Sequence, residues 1–184
     1  MKILIFACSL NPKSKSFELA DFTNKYLINK NTDVELIDLR NTPLPFCDGA
    51  SCYKDEKVWA IQEKIKSANV VLFSFPIYNY EINAAGKNLI DIAGNSFLNK
   101  TIGFMAAAGG ESSYMSILPT INSIMLQNRA IIIPRFVYTS YKAFDKNGKL
   151  SSDEIKTRLK QLADQSIEIA KVTYPIMSKY EDKK

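Results

Sequence analysis

Apolar residues in this chain fall into short unbroken runs, separated by longer stretches in which they recur every three or four positions. Ile3–Ala7, Val70–Phe75, Ile102–Ala108 and Ala130–Ile133 are apolar almost throughout and of strand length, the pattern of strands covered on both faces. Between them Leu19, Phe22, Tyr26 and Leu27 share one helical stripe, as do Val58, Ile61 and Ile65 and, later, Ile155, Leu159, Leu162 and Ile169. Strands alternating with helices join by right-handed crossovers into a parallel sheet with helices on both faces. The chain accommodates five of each.

Val34-Glu35-Leu36-Ile37-Asp38-Leu39 is more polar than the other four runs, as an edge strand is. The expected fold is therefore a three-layer α/β/α sandwich on a five-stranded parallel sheet of order 2-1-3-4-5. Ligands of such sheets bind beyond the carboxyl ends of the strands where the order reverses, here the first and third. Function is thus expected just after Ala7 and Phe75. Residues 1–175 read as one domain, without repeats or linkers, and 176–184 as a polar tail expected to fray. The irregular stretch Asn41–Lys57 fits a lid, a subunit contact or a long surface loop. The apolar start ends at Cys8 and runs into Asn11-Pro12-Lys13, too short for a signal sequence or a membrane span, so it reads as a buried strand.

Composition narrows the chemistry. The 184 residues include no histidine, which excludes Ser-His-Asp and Cys-His catalysis, HExxH metalloproteases and haem on a proximal histidine. The three cysteines, Cys8, Cys47 and Cys52, make neither a four-thiolate zinc site nor a Cys-x-x-Cys pair. Their odd number points to a reducing, cytoplasmic compartment. An apolar share of 46% supports a full core without staples. The excess of 24 Lys and Arg over 19 Asp and Glu is spread along the chain rather than gathered with aromatics, so neither nucleic acid nor a membrane is an expected partner. Any enzyme built from these residues takes its reactivity from a bound cofactor, a carboxylate, a lysine or a hydroxyl.

Three segments at expected strand ends carry the candidate chemistry. Ser9-Leu10-Asn11-Pro12-Lys13-Ser14-Lys15-Ser16-Phe17 offers hydroxyls and lysines ahead of a helix N-terminus, where free amides and the helix dipole favour an anion. Ser16 is equally a plain helix cap, and Glu18 and Asp21 would compete with a phosphate. Pro76-Ile77-Tyr78-Asn79-Tyr80-Glu81 offers backbone amides and an aromatic wall to a flat ring, although two tyrosines also suit an ordinary surface or a dimer contact. Ala106-Ala107-Ala108-Gly109-Gly110, followed by Glu111-Ser112-Ser113-Tyr114, lets a ligand or a backbone approach closely, and a tight turn capped by Ser112 accounts for it too.

Taken in order, these segments resemble the flavodoxin-fold NAD(P)H-dependent FMN reductases, a family that includes flavin, quinone and azo-dye reductases, over nearly the whole chain. Ser9 to Ser16 is similar to the family's serine-rich phosphate loop. Pro76-Ile77-Tyr78-Asn79 with Lys87-Asn88-Leu89-Ile90-Asp91 resembles its proline-x-tyrosine-asparagine loop and the downstream Lys-Asn-x-x-Asp. Ala108-Gly109-Gly110 resembles the glycine turn beside the isoalloxazine, Pro43-Leu44-Pro45-Phe46 the segment after strand two, and Phe144 to Leu150 the closing turn before the last helix. Cys8, Asn11 and Gly86 depart from the pattern, which usually has glycine, arginine and a larger apolar residue there. Without that arginine, Lys13 or Lys15 is expected to supply the charge facing the phosphate.

The resemblance implies a flavodoxin-like fold, bound FMN, and NADPH or NADH as donor to a small-molecule acceptor: a flavin, a quinone or an azo compound. Ser9, Asn11, Ser14, Lys15, Ser16 and Phe17 would hold the phosphate. Pro76, Ile77, Tyr78 and Asn79 would line the ring, and Ala108, Gly109, Gly110 and Tyr114 would close its far side. No residue is assigned a proton-transfer role and no metal is expected. Two alternatives stay open, a flavodoxin-like electron carrier and a flavin-free regulatory protein on the same fold. The resemblance also implies a homodimer or homotetramer, for which Pro43 to Phe46 beside Trp59 is a candidate contact.

Two other patterns have simpler explanations. Asp145, Asn147, Gly148 and Glu154 imitate part of a calcium loop, but the first position would be Ala143 and lysines intrude, so a turn is expected. Ser151 with Glu154 reads as a capping box for the last helix. Cys8 is read as a small apolar strand residue, with a reactive thiol the other reading.

Overall fold

In the computed structural model, which describes residues 1–180, the apolar runs lie side by side as parallel strands. β1 (Lys2–Ala7) is flanked by β2 (Asp33–Asp38) and β3 (Val70–Tyr78), and β5 (Thr101–Ala107) lies beyond β3. β2 is an edge of the sheet, as its polarity predicts. The fifth position is divided: β6 (Ile131–Ile132) pairs with the start of β5 and β7 (Val137–Thr139) with its end. The amide of Ile133 still donates to Ile102 O at 2.9 Å, but Pro134 has no N–H and the pairing lapses until Val137. The expected order 2-1-3-4-5 therefore holds, with its last strand in two pieces and one extra two-residue strand, β4 (Glu81–Ile82), antiparallel to the end of β3.

Alternate side chains of each strand serve opposite faces. Ile3, Ile5 and Ala7 pack with Leu19 and Leu27 of α1 (Lys15–Asn29) and with Leu159 and Leu162 of α5 (Asp153–Met177). Leu4 and Phe6 pack with Ile61 and Ile65 of α2 (Glu56–Ser67), Leu89 of α3 (Ala84–Ala93) and Ile124 of α4 (Leu118–Asn128). On this second face Phe73 lies at the centre of an aromatic group, its ring centroid 5.6 Å from Phe6, 5.3 Å from Phe75 and 5.8 Å from Phe104. Each such pair contributes about 0.5–1.5 kcal/mol beyond area burial. The group lies directly beneath the strand ends that carry the candidate segments.

Helix caps differ from expectation in register. Ser14, not Ser16, caps α1: its Oγ accepts from Phe17 N at 3.1 Å, because the chain leaves the extended region only after Ser14. Ser152 caps α5 by accepting from Ile155 N at 3.3 Å, while Ser151 Oγ donates to Ala143 O, so Ser151 and Glu154 form no capping box. Ser112 caps nothing; a short 3-10 turn, Tyr114–Ile117, intervenes before α4, whose first turn contains Pro119. α5 continues through Pro175 to Met177 and a 3-10 turn follows over Ser178–Tyr180, so the first five residues of the expected polar tail are helical rather than frayed, while residues 181–184 lie outside the described residues. Among the described residues no helix is long and apolar enough to cross a membrane.

Candidate active site

β1, β3 and β5 are neighbours and parallel, so the three candidate segments leave the sheet along one rim. In the first, Ser9, Ser14 and Ser16 are buried and Leu10 to Lys13 form the exposed crest. Ser9 Oγ accepts from Asn11 N at 3.2 Å and Asn11 Oδ1 from Lys13 N at 2.9 Å, so Asn11 shapes the loop by replacing backbone partners. The hydroxyls of Ser14 and Ser16 are 2.9 Å apart, and Ser74 Oγ of β3 donates to Ser16 O at 2.7 Å. With Phe17 N taken by Ser14, the first-turn amides of Lys15 and Ser16 have no acceptor within the helix and face outward at its positive end. Glu18, the expected competitor for a phosphate, is held 2.8 Å from Lys149 Nζ.

The second segment is not the loop that its proline suggests. Pro76, Ile77 and Tyr78 belong to β3, which pairs with β5 as far as Pro76 and with β4 from Ile77 onward. The change of partner falls where the strand loses its donor. The connection is the two-residue turn Asn79–Tyr80, with φ of 51° and 64°, the hairpin turn that needs two left-handed residues. Tyrosine is costly there, and its hydroxyl is tied 3.2 Å from Ser112 Oγ of the third segment. Pro76 and Ile77 are buried, whereas Tyr78 and Tyr80 stand out as exposed rings. Just beyond, the buried Asn83 donates from Nδ2 to Cys8 O at 2.7 Å and joins the hairpin to the first segment.

In the third segment Ala108 N donates to Thr139 O at 2.9 Å, and the Tyr138 hydroxyl bonds both Gly110 O and, at 2.8 Å, Ser113 Oγ. Tyr114 stacks on Phe136 at 4.9 Å and meets Tyr138 edge-on at 5.5 Å, so its ring leans on β7 and the segment before it. A Cβ added at Gly109 or Gly110 would meet nothing within 4 Å, and neither has a positive φ. Nothing in the protein's own packing therefore asks for glycine at these positions.

Several side chains at this rim escape sequence reasoning. Arg40, two residues past β2, lays its guanidinium carbon 4.1 Å from the Phe17 ring centroid, donates to Pro12 O at 3.3 Å and is held bidentate by Asp38 at 2.5–2.9 Å. The Asp38 hydrogen bonds raise its pKa further. Lys15, expected at the phosphate, has its ammonium 5.5 Å from the Phe144 ring and 5.9 Å from Tyr141. The expected edge position of β2 was the signal that could have found Arg40, because it brings that strand's end beside the end of β1. The Lys-Asn-x-x-Asp motif proves to be a clamp: Lys87 pairs with Asp91 at 2.5 Å, while Asn88 accepts from Cys47 N and donates to Pro45 O, both at 2.8 Å. Cys8 is fully buried, and burial pushes its thiol well above the ordinary value, which excludes the reactive-thiol reading. Asp145 Oδ1 accepts from Asn147 N at 2.8 Å and Lys149 N at 2.9 Å, the turn expected in place of a calcium loop. A cavity of about 670 Å³ lined by Gln62, Lys66, Asn95 and Gln127 includes none of the three segments.

The donors fit a flavin mononucleotide. Hydroxyls and helix amides at one end suit a phosphate, and the open glycines with the exposed Tyr78 at the other suit a flat ring. The fold and rim are those of a flavodoxin-like α/β protein. The chain is similar, at 18% identity with a TM-score of 0.75, to the flavoenzyme NAD(P)H:(acceptor) oxidoreductase FerB from Paracoccus denitrificans, covering 94% of this chain and 98% of that one. It is 31% identical over 134 residues to an NAD(P)H-dependent FAD/FMN reductase of Geobacillus thermodenitrificans, covering 71% of this chain and 72% of the relative. It is 30% identical over 138 residues to an NAD(P)H:quinone oxidoreductase of Solanum tuberosum, covering 70% of each. Residues 1–145 match the NADPH-dependent FMN reductase family model, and the chain belongs to that family. It is accordingly an FMN-dependent NAD(P)H oxidoreductase, which decides against both the electron carrier and the flavin-free protein.

Proposed function

We propose that FMN binds along the rim formed by β1, β3 and β5, with its phosphate on the Ser9–Phe17 loop and its ring between Tyr78–Asn79 and Ala108–Gly110. Bound there, FMN would supply the redox chemistry that links NADPH or NADH as donor to a flavin, a quinone or an azo compound as acceptor. The observation that carries this reading is the pair Gly109 and Gly110, open to a close approach that no protein atom makes. Ser9 and Ser14 would donate to phosphate oxygens together with the Lys15 and Ser16 amides, with the Ser16 hydroxyl donating to Ser14 Oγ and aiming it, in a pocket whose dipole favours a dianion. Asn11, exposed on the crest, keeps those amides aimed by holding the loop. Pro76 and Ile77 act from within β3, fixing the height of the Tyr78 ring, which remains free to lie against a flat ligand.

Transfer between stacked rings depends on position more than on a proton carrier, so a chain without histidine can support it. The stiffness comes from below, where Asn83, Ser74 and Tyr138 tie the three segments to the sheet and to one another. Tyr114 would flank the site from β7 rather than cover the ring. The exposed Phe46 and Trp59, at 84% and 54%, support a subunit contact in a homodimer or homotetramer. Three free thiols support a cytoplasmic location. Titrating the purified protein into FMN should quench flavin fluorescence, and the complex should then oxidise NADPH or NADH with quinone as acceptor. Unchanged fluorescence at micromolar protein would refute the assignment, and a monomeric sedimentation mass would refute the assembly.

A further inference from the structure

On the outer side of the phosphate loop lies a second cavity, of about 660 Å³, between the start of α1, the end of β2 and the turn before α5. It borders the serine cradle at Ser14 but includes neither Ser9 nor Ser16, and it extends away from them along the outer side of the loop to Arg40 and Lys146–Lys149. Lys13, Lys15, Arg40, Lys146 and Lys149 line it, with Glu18 as the opposing carboxylate. Glu18 is matched by Lys149, and Arg40 is matched by Asp38 just outside, which leaves three lysines as a surplus of positive charge. The volume is that of a nucleoside-sized pocket, far larger than one phosphate needs. It also holds a flat platform, the Arg40 guanidinium stacked on Phe17 at 4.1 Å, of the kind on which nucleobases stack.

The geometry points to a second nucleotide subsite, which takes the phosphorylated adenosine half of NADPH and reads its 2′-phosphate. This assignment rests on the reading above, in which the flavin phosphate occupies the serine loop and leaves this outer cavity to the other dinucleotide. A dianionic 2′-phosphate is the group that distinguishes NADPH from NADH, and the surplus lysines present the charge to recognise it without any change to the flavin cradle. The chain would then favour NADPH through Lys13 and Lys15 on the outer side of the serine loop and Lys146 on the turn before α5, with Arg40 at the end of β2 as the stacking platform.

Equilibrium binding of 2′,5′-ADP and 5′-AMP, measured by calorimetry on the full chain, tests this directly. The 2′-phosphate should tighten binding at least about tenfold, as charge-assisted hydrogen bonds at one phosphate do. The ratio should fall toward one in K146E/K149E and part of the way in K146Q/K149Q, whose substitutions lie in an exposed turn. The NADPH:NADH ratio of kcat/KM should fall by a similar factor. Equal binding of the two nucleotides, or a ratio that survives K146E/K149E, overturns the proposal. So does FAD binding more tightly than FMN by a margin that K146E/K149E erases, since the cavity would then hold the adenylate half of FAD. Loss of FMN quenching with the 2′,5′-ADP preference intact would refute the flavin reading and leave this cavity standing.

Discussion

Replacing Gly86 by alanine tests how tightly the candidate site is bound to its core. Gly86 lies in the first turn of α3, and a Cβ there would fall 2.5 Å from Cε1 and 2.7 Å from Cδ1 of Phe75. Carbon contacts are comfortable at about 3.5–4.0 Å, so roughly 1 Å must be found. Phe75 has little room to give it, being fully buried and stacked 5.3 Å from Phe73 and 6.3 Å from Phe104. Alanine gains about 1 kcal/mol over glycine in helix propensity, whereas overpacking a closed core costs about 1–3 kcal/mol, toward the upper end where the neighbour is hemmed in. The net loss should be about 1–2 kcal/mol, or about 3–6 °C in Tm for a chain of this length. Because Asn83 precedes α3 and holds Cys8 O, the same shift should also weaken FMN. Urea denaturation of G86A, F75L and the double variant would measure it, with the pair less destabilised than the sum of the singles by about 1 kcal/mol. A G86A protein as stable as the parent, or strictly additive effects, would refute the reasoning. The clash also explains why glycine stands where the family usually has a larger apolar residue: in this chain the Phe75 ring already fills the space.

Three further outcomes are expected. S14A removes the cap of α1, at about 1 kcal/mol, together with a phosphate donor, so fluorescence titration should show FMN weakened more than riboflavin. N88A leaves the Cys47 amide and Pro45 carbonyl without their partners, and the loop from Pro43 to Cys47 should be cut faster in limited proteolysis, with a stability loss of about 1–3 kcal/mol. Asp48 accepts from the amide of Cys52, the hydroxyl of Ser51 and the amide of Ala50, which hold its carboxyl well below the ordinary value. Its native pKa lies below its unfolded one, so the stabilisation is present above about pH 4 and is lost as pH falls toward the native value. The Tm difference between wild type and D48N should therefore shrink as pH drops below about 4, and a constant difference would refute the assignment.

The sheet was legible because its strands are buried on both faces and read as unbroken apolar runs, while the polarity of residues 34–39 marked the edge. The rim followed from strand order alone. What escaped were features set by a single residue's register or by contacts across the chain. Cap positions moved by one or two residues because Ser14 and Ser16, or Ser151 and Ser152, are chemically alike, and only backbone geometry selects between them. The β3–β4 hairpin was hidden because Asn79–Tyr80 lacks the glycine that usually signals such a turn, and its tyrosine is held by Ser112, 32 residues away.

The arginine missing from position 11 shows why motif reading alone misplaces charge. A phosphate senses where a cation is in space, not which segment supplies it. Lys13 and Lys15, the nearest in sequence, seemed the natural substitutes, yet Lys15 turns toward Tyr141 and Phe144, where its stem and charge rest on aromatic rings. Arg40 instead reaches the same loop from the neighbouring strand, stacked on Phe17 and fixed by Asp38, in a position that a flexible lysine would hold less rigidly. Because Asp38 already compensates Arg40, most of the charge left for a ligand comes from the lysines around it, on the crest of the phosphate loop and the turn before α5. Electrostatic recognition at this rim is thus divided: hydroxyls and helix amides grip from inside the loop, and cations act from outside it. On this division, substitutions inside the loop should alter flavin affinity chiefly through phosphate contacts, whereas substitutions outside it should alter the choice of nicotinamide donor.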